Sequence, residues 1–261
     1  MANRIKISLS SMGNRKLLIP FFTAGYPDFK TSMEYVRVAD ESGADMVEIG
    51  IPFSDPLADG PLIQYSSHIA LQNGTNLKSI LDGVKKLRSD LSIPIILMGY
   101  YNPILTYGDK FLIDAKSAGV DGFIIPDLPI EEAEEFNRLI RKNDLSSIYL
   151  IAPTSSENRI KMIAEMSTDF VYAVTVTGVT GTGKVFGSET DTYLKKLKSI
   201  LDKPFVAGFG VSSPESAQRL AKHCNGVVIG SALVDIIKKT ESKKSSLNEV
   251  ERFLVKIRKA L

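Results

Sequence analysis

The feature that most constrains this chain is an alternation, kept up from end to end, of short apolar runs and longer amphipathic ones. The short runs are Leu17–Ala24, Asp45–Ile49, Pro94–Met98, Gly122–Ile125, Ser147–Ile151, Phe170–Val174, Phe205–Ala207 and Val227–Ile229. They are apolar on both faces, as strands covered on both sides must be. Helical spacing fills the intervals at Thr31–Ser42, Gln64–Gln72, Leu77–Arg88, Asp109–Ala118, Ile130–Lys142, Glu157–Met166, Asp191–Leu201 and Pro214–Lys222, with Asn248–Ala260 last. Strand and helix in regular turn build a parallel sheet. Eight such units in 261 residues favour a closed (β/α)8 TIM barrel over an open sheet.

No linker or low-complexity tract interrupts the series, so residues 1–261 read as a single domain. Asn3–Met12 is expected as a short helix beneath the barrel, and Ser231–Ile237 as an extra short helix after strand eight. Thr240–Ser246 is polar enough to be a loop. Ser42-Gly43-Ala44-Asp45 and Ala118-Gly119-Val120-Asp121 echo each other at the same helix-to-strand joint, which points to repeated units.

A barrel of this kind does its chemistry at the carboxyl ends of its strands. There the second run carries Glu48 and breaks into a Pro- and Gly-punctuated loop with two more acids, Asp55 and Asp59. Asp before Pro, or followed by Gly, is also ordinary turn chemistry. Glu48 is harder to explain that way, because an unpaired carboxylate in a buried strand costs on the order of several kcal/mol. A strand acid facing loop acids suits acid–base catalysis.

Other chemistries are disfavoured. Lys and Arg number 32 against 30 Asp and Glu, leaving no basic field for nucleic acid. One cysteine, Cys224, and two histidines, His68 and His223, cannot make a disulfide or a Cys- or His-rich metal site, so no metal is expected. The N-terminus lacks a signal-peptide pattern, and no apolar run approaches the ~20 residues of a membrane span. A cytoplasmic protein is expected.

Glycines cluster after the last three strands, at Gly178–Lys184, Gly208-Phe209-Gly210 and Gly230-Ser231. Backbone amides freed by glycine, together with a helix start, make a phosphate site, here placed after strands seven and eight. Gly178–Lys184 nearly matches a P-loop, but Val185 stands where the Mg²⁺-binding hydroxyl belongs and no helix start follows. A lid over the barrel mouth suits it better.

With these motifs in view, the chain resembles the tryptophan synthase α chain family along nearly its whole length. The resemblance rests on Glu48 through Gln64, on Pro20–Gly25, and on Gly178-Val179-Thr180-Gly181, Gly208–Val211 and Gly230-Ser231-Ala232 in order. It implies a lyase that cleaves indole-3-glycerol phosphate to indole and glyceraldehyde 3-phosphate by a retro-aldol reaction. It makes Glu48 the general acid–base group and Asp59 the acceptor of the indole N–H. Phosphate would lie on the amides of Gly181, Gly210, Gly230 and Ser231. Phe21, Tyr100, Asp127, Ile151 and Tyr172 would line the pocket, and Thr180 on the lid would orient Asp59. After Gly181 stands Thr182-Gly183-Lys184, where the family commonly carries Ala-Arg, a departure that bears on the lid rather than the reaction.

The resemblance further implies a β-chain partner in an α2β2 heterotetramer, met by the Asp55-Pro56 loop and the lid. Pyridoxal phosphate would belong to that partner, with no cofactor in this chain. Three rivals stand beside this reading. A Schiff-base aldolase needs a buried strand-end lysine, and Lys16 only precedes the first strand. A stand-alone lyase would share every motif, and a binding-only relative would have no use for the acid pair.

Overall fold

The structure, a computed structural model, describes residues 3–175, 188–208 and 210–261. Its strands are β1 (Leu17–Thr23), β2 (Val47–Gly50), β3 (Ile95–Met98), β4 (Gly122–Ile124), β5 (Ser146–Ile148), β6 (Leu150–Ile151), β7 (Val171–Val174), β8 (Phe205–Gly208) and β9 (Gly226–Ile229). They form one parallel sheet in the order β5-β4-β3-β2-β1-β9-β8-β7-β6. The two ends of that order are neighbours in the chain, separated by Tyr149 alone. The run expected as one strand, Ser147–Ile151, is therefore two short ones. The Tyr149 N–H leaves the ladder for the Ser167 hydroxyl, while its carbonyl accepts the Tyr172 N–H at 3.0 Å. β5 pairs with β4 and β6 with β7, so this broken fifth strand closes the TIM barrel.

The helices are α1 (Arg4–Ser11), α2 (Phe29–Glu41), α3 (Pro61–Gln72), α4 (Leu77–Leu87), α5 (Tyr101–Tyr107), α6 (Phe111–Ala118), α7 (Glu134–Lys142), α8 (Glu157–Met166), α9 (Ser188–Ile200), α10 (Pro214–Ala221), α11 (Ser231–Lys239) and α12 (Lys243–Ala260). α4 is typical of how they form. Asn76 and Ser79 make a reciprocal capping box, and Leu77, Ile80, Leu81, Val84 and Leu87 turn one stripe inward. Among the described residues no helix is long and apolar enough to cross a membrane.

Three local features differ from expectation. α5 fills a stretch to which no element is assigned from sequence; its Pro103 lies in the first turn, where a missing N–H costs nothing. Most of the polar stretch Thr240–Ser246 is helix or cap, since the Ser242 side chain accepts the Ser245 N–H and starts α12. α7 begins at Glu134 rather than Ile130, after a turn in which the Glu132 N–H reaches the Pro129 carbonyl at 3.0 Å.

At the amino ends of the strands one device recurs four times. Asp45 accepts the Leu18 N–H at 2.8 Å, Asp121 the Ile95 N–H at 2.9 Å, Thr168 the Ser147 N–H at 3.0 Å and Asn225 the Phe205 N–H at 3.1 Å. In each case the backbone N–H of the same residue donates back to the carbonyl of the same strand residue, at 2.9 Å. Each joint is thus a closed ring that ties β1 to β2, β3 to β4, β5 to β7 and β8 to β9. The sequence echo at Asp45 and Asp121 marks two of these four ties.

The two aspartates are buried and carry charge partners. Asp45 pairs with Arg15 and with Arg258, the latter at 2.8 Å; Asp121 pairs with Arg4 at 3.0 Å and Arg88 at 2.6 Å. Removing one member of a buried pair strands the other and costs about 3–5 kcal/mol. Asp121→Ala should lower the unfolding free energy by about that amount in urea titrations, because it also releases the Ile95 N–H. Asp90→Ala, which breaks the exposed pair with Arg37, should cost under ~1 kcal/mol.

Candidate active site

Glu48 lies in the middle of β2, abreast of Phe21 on β1 and Ile96 on β3. Side chains alternate along a strand, so Ile49 packs outward against helices while Glu48 turns into the barrel. There it is fully buried, and neither carboxyl oxygen has a hydrogen-bond partner among the described residues. Water is withheld and nothing replaces it, so the charged form is disfavoured and the pKa rises to about 8.

Asp59 reaches the same cavity from the loop between β2 and α3. That loop is held by its own turns, with the Leu57 N–H on the Asp55 carbonyl and the Asp59 N–H on the Pro56 carbonyl. Burial lifts Asp59 to about 6, and a hydrogen bond from the Tyr100 hydroxyl at 3.1 Å opposes the rise. At neutral pH Glu48 is therefore mostly a proton donor and Asp59 mostly an anion. Two carboxyl groups pushed apart in this way are suited to separate acid and base duties.

The cavity opens at the carboxyl ends of the strands. Phe21, Ile63, Met98, Tyr172 and Val228 supply its apolar wall around the two acids. Burial, followed by the nearby Glu48 and Asp59, pushes the Tyr172 phenol well up, so its hydroxyl keeps its proton. Tyr172 has room only because residue 208 is glycine: a Cβ there would meet the phenol oxygen at 2.0 Å.

Opposite the acids the wall is Gly210, Gly230 and Ser231. Ser231 opens α11, whose N-cap is Gly230, so first-turn amides and the positive end of the helix dipole face the cavity. Gly210 has φ +95°, a backbone geometry open to glycine and strained for other residues. Acid–base groups on one side and an anion cradle on the other can hold a small phosphate ester across the barrel mouth.

The remaining expected residues fall differently. Tyr100 holds Asp59 and lines a smaller adjoining cavity, whereas Asp127 is exposed and accepts the Tyr101 N–H at 2.9 Å. Ile151 is fully buried off the cavity wall, and its carbonyl accepts the Tyr193 hydroxyl. Thr180 and Gly181 lie outside the described residues, as does the rest of the expected lid. Ile63, Met98 and Val228 were not singled out from sequence. Counting two residues back from Gly230 would have found Val228, since inward positions alternate.

No lysine lines the cavity among the described residues. Lys16 donates to the Cys224 carbonyl at the opposite end of the barrel, which disfavours Schiff-base chemistry. Among the described residues no group of three or more His, Cys, Asp or Glu could hold a metal ion.

The buried acid should leave a trace in stability. A group whose folded pKa is raised stabilises the fold only while protonated; that support is complete below about 4.5 and is lost as pH rises through about 8. At ~1.4 kcal/mol per tenfold change in proton affinity, the span is worth roughly 5 kcal/mol. Glu48→Gln should therefore match the parent near pH 4 and exceed it by several kcal/mol at pH 9 in denaturant titrations.

The family model described as "Tryptophan synthase alpha chain" matches residues 8–261. The chain is similar to a tryptophan synthase alpha chain from Caldanaerobacter subterraneus subsp. tengcongensis, 46% identical over 248 residues, covering 95% of this chain and 94% of the relative. It superimposes on the tryptophan synthase subunit alpha from Legionella pneumophila with a TM-score of 0.92 at 36% identity, covering 100% of this chain and 98% of that one. A chain of the tryptophan synthase complex from Pyrococcus furiosus gives 0.84 at 38% identity, covering 92% and 97%.

Proposed function

The chain belongs to the tryptophan synthase alpha chain family, and we propose that Glu48 and Asp59 carry out the family's reaction at the barrel mouth. That reaction, in tryptophan biosynthesis, is the retro-aldol cleavage of indole-3-glycerol phosphate to indole and glyceraldehyde 3-phosphate. The observation that carries the assignment of roles is the Glu48 carboxyl, buried without a hydrogen bond among the described residues and held protonated at neutral pH.

Cleavage leaves an electron pair on indole C3, so that carbon must take a proton for the bond to the glycerol chain to break. Glu48 supplies it. The charge that then develops on the ring nitrogen is stabilised by Asp59, which accepts the indole N–H as an anion. The C3 bond breaks, its electrons return to the ring, and the glycerol hydroxyl becomes an aldehyde as its proton passes to Glu48. One proton given and one taken leaves the enzyme unchanged, as a single acid–base group requires. Gly210, Gly230 and Ser231, with Gly181 beyond the described residues, cradle the phosphate. Phe21 and Tyr172 flank the indole, with Tyr100 and Asp127 supporting the acidic loop. Thr180 acts on the lid, and Ile151 backs the wall.

The partner in this reading is a β chain in an α2β2 assembly, to which the indole passes. Pyridoxal phosphate belongs to that chain, and this one works without a cofactor. A biosynthetic enzyme of this kind operates in the cytoplasm, as one domain. The β2–α3 loop presents a suitable contact: Leu57 is 85% exposed at its tip, a large apolar side chain with no packing of its own.

The first test is indole release by the purified chain, alone and with a β chain. Slow release that rises strongly with β chain, and falls at least ~10³-fold in Glu48→Gln, is expected. Equal activity in the variant would refute the assignment, and fast release from the chain alone would favour a stand-alone lyase. Activity needs Glu48 protonated and Asp59 ionised, so kcat/KM should peak between about 6 and about 8. Leu57→Asp should leave release by the chain alone within ~2-fold while weakening activation by the β chain at least ~10-fold. Undiminished activation would place the interface elsewhere.

A further inference from the structure

The geometry points to Tyr100 as a positioning residue for Asp59, a strut that ties the acidic loop to α5 and is itself braced by Asp127. This rests on the reading that gives Asp59 a part in the reaction.

Tyr100 is the residue just before α5, and it grips the β2–α3 loop in three ways. Its ring stacks on Phe53, with centroids 5.1 Å apart and planes 28° from parallel. Its oxygen accepts the Ala58 N–H at 2.9 Å, and its O–H donates to Asp59 Oδ2 at 3.1 Å. One hydroxyl thus bonds two consecutive loop residues, the second being the proposed anion. Loop residues are otherwise the most mobile carriers of a functional group, and a carboxylate displaced by about 1 Å can lose ~10²-fold in rate. The strut holds one carboxylate oxygen and leaves Oδ1 to meet a ring N–H.

The strut is anchored in turn. As N-cap of α5, Tyr100 makes no side-chain capping bond, so the first amides of that helix need an acceptor from elsewhere. Asp127, from the loop after β4, provides it by accepting the Tyr101 N–H at 2.9 Å. A carboxylate at a helix start also complements the helix dipole. The start of α5 is therefore set by the fourth strand's loop, and through Tyr100 so is the second's. Other ionisable groups face Asp59 across the cavity: Glu48 from β2 and Tyr172 from β7.

Tyr100→Phe removes the hydroxyl and keeps the ring on Phe53. With indole release as the assay, kcat should fall roughly tenfold with KM changed less than about threefold. The acidic limb of the pH profile should also move above its parent position near 6, because the hydrogen bond that holds Asp59 down is gone. Combined with Asp59→Asn, the same change should cost almost nothing further, as coupled residues do. Asp127→Asn, which keeps an acceptor at Oδ1, should retain activity, whereas Asp127→Ala should lose about threefold.

Thermal melts of each variant separate positioning from unfolding, and Tyr100→Phe should melt within a few degrees of the parent. An unchanged kcat in Tyr100→Phe, or an equal loss in the Asp59→Asn background, would overturn the inference while leaving the reaction intact. Full activity in Glu48→Gln would instead remove the proposed acid pair and this inference with it.

Discussion

A carboxyl group on a barrel strand, shut away from water and given no hydrogen bond by the described residues, sets the terms for everything around it. Such a group can stay in a core only by holding its proton, and Glu48 does so up to about 8. Its isolation explains why the rest of the wall is so apolar, with Phe21, Met98, Tyr172 and Val228 around it. A lysine or arginine beside it would form a salt bridge and make it a poor acid. Asp59 sits across the same space but hangs on a loop and keeps a donor, so it ionises first. Two identical chemical groups are set to different duties by what each is allowed to touch.

Stability and chemistry occupy opposite ends of the barrel. The amino ends of the strands hold the reciprocal ties at Asp45, Asp121, Thr168 and Asn225, two of them reinforced by buried arginine pairs. The carboxyl ends hold the unpaired acid, the left-handed Gly210 and the open start of α11, none of which favours folding. A barrel can carry strained or unsatisfied groups at one rim because the other rim is tied down. Strands and the helices that return between them hold the two rims apart, which makes the division possible.

Much of this was legible before any coordinates. Apolar runs alternating with helical spacing lead directly to a parallel closed sheet, and Glu48 stands out as a charge where a strand should be apolar. Phe21, Glu48, Asp59, Tyr172, Gly210, Gly230 and Ser231, named from motif and resemblance, line one cavity. The illegible parts share a cause: they depend on partners distant in sequence. The interruption at Tyr149 needs Ser167, and the placing of Asp127 needs the start of α5. Thr168 and Asn225 share no local pattern with Asp45, yet they play the same part because the geometry of the joint asks only for a side-chain oxygen. Ile151 belongs to the right strand but not to the cavity wall.

The four ties have a consequence for how such a barrel is divided. The ties join β1 to β2, β3 to β4, β5 to β7 and β8 to β9, and among the described residues no such ring links one pair to the following pair. The molecule is therefore a ring of four quarters, each closed by its own tie and joined to its neighbours by ladder bonds and by ion pairs such as Arg88 with Asp121 and Arg258 with Asp45. A cut in the chain between quarters severs no ring, whereas a cut within one separates a strand from its fastener. New termini, inserted modules or exchanged segments from a relative would accordingly be best accepted at the seams after α3–α4, after α7 and after α9. In that sense the barrel carries, in its amino-end joints, the lines along which it can be rearranged.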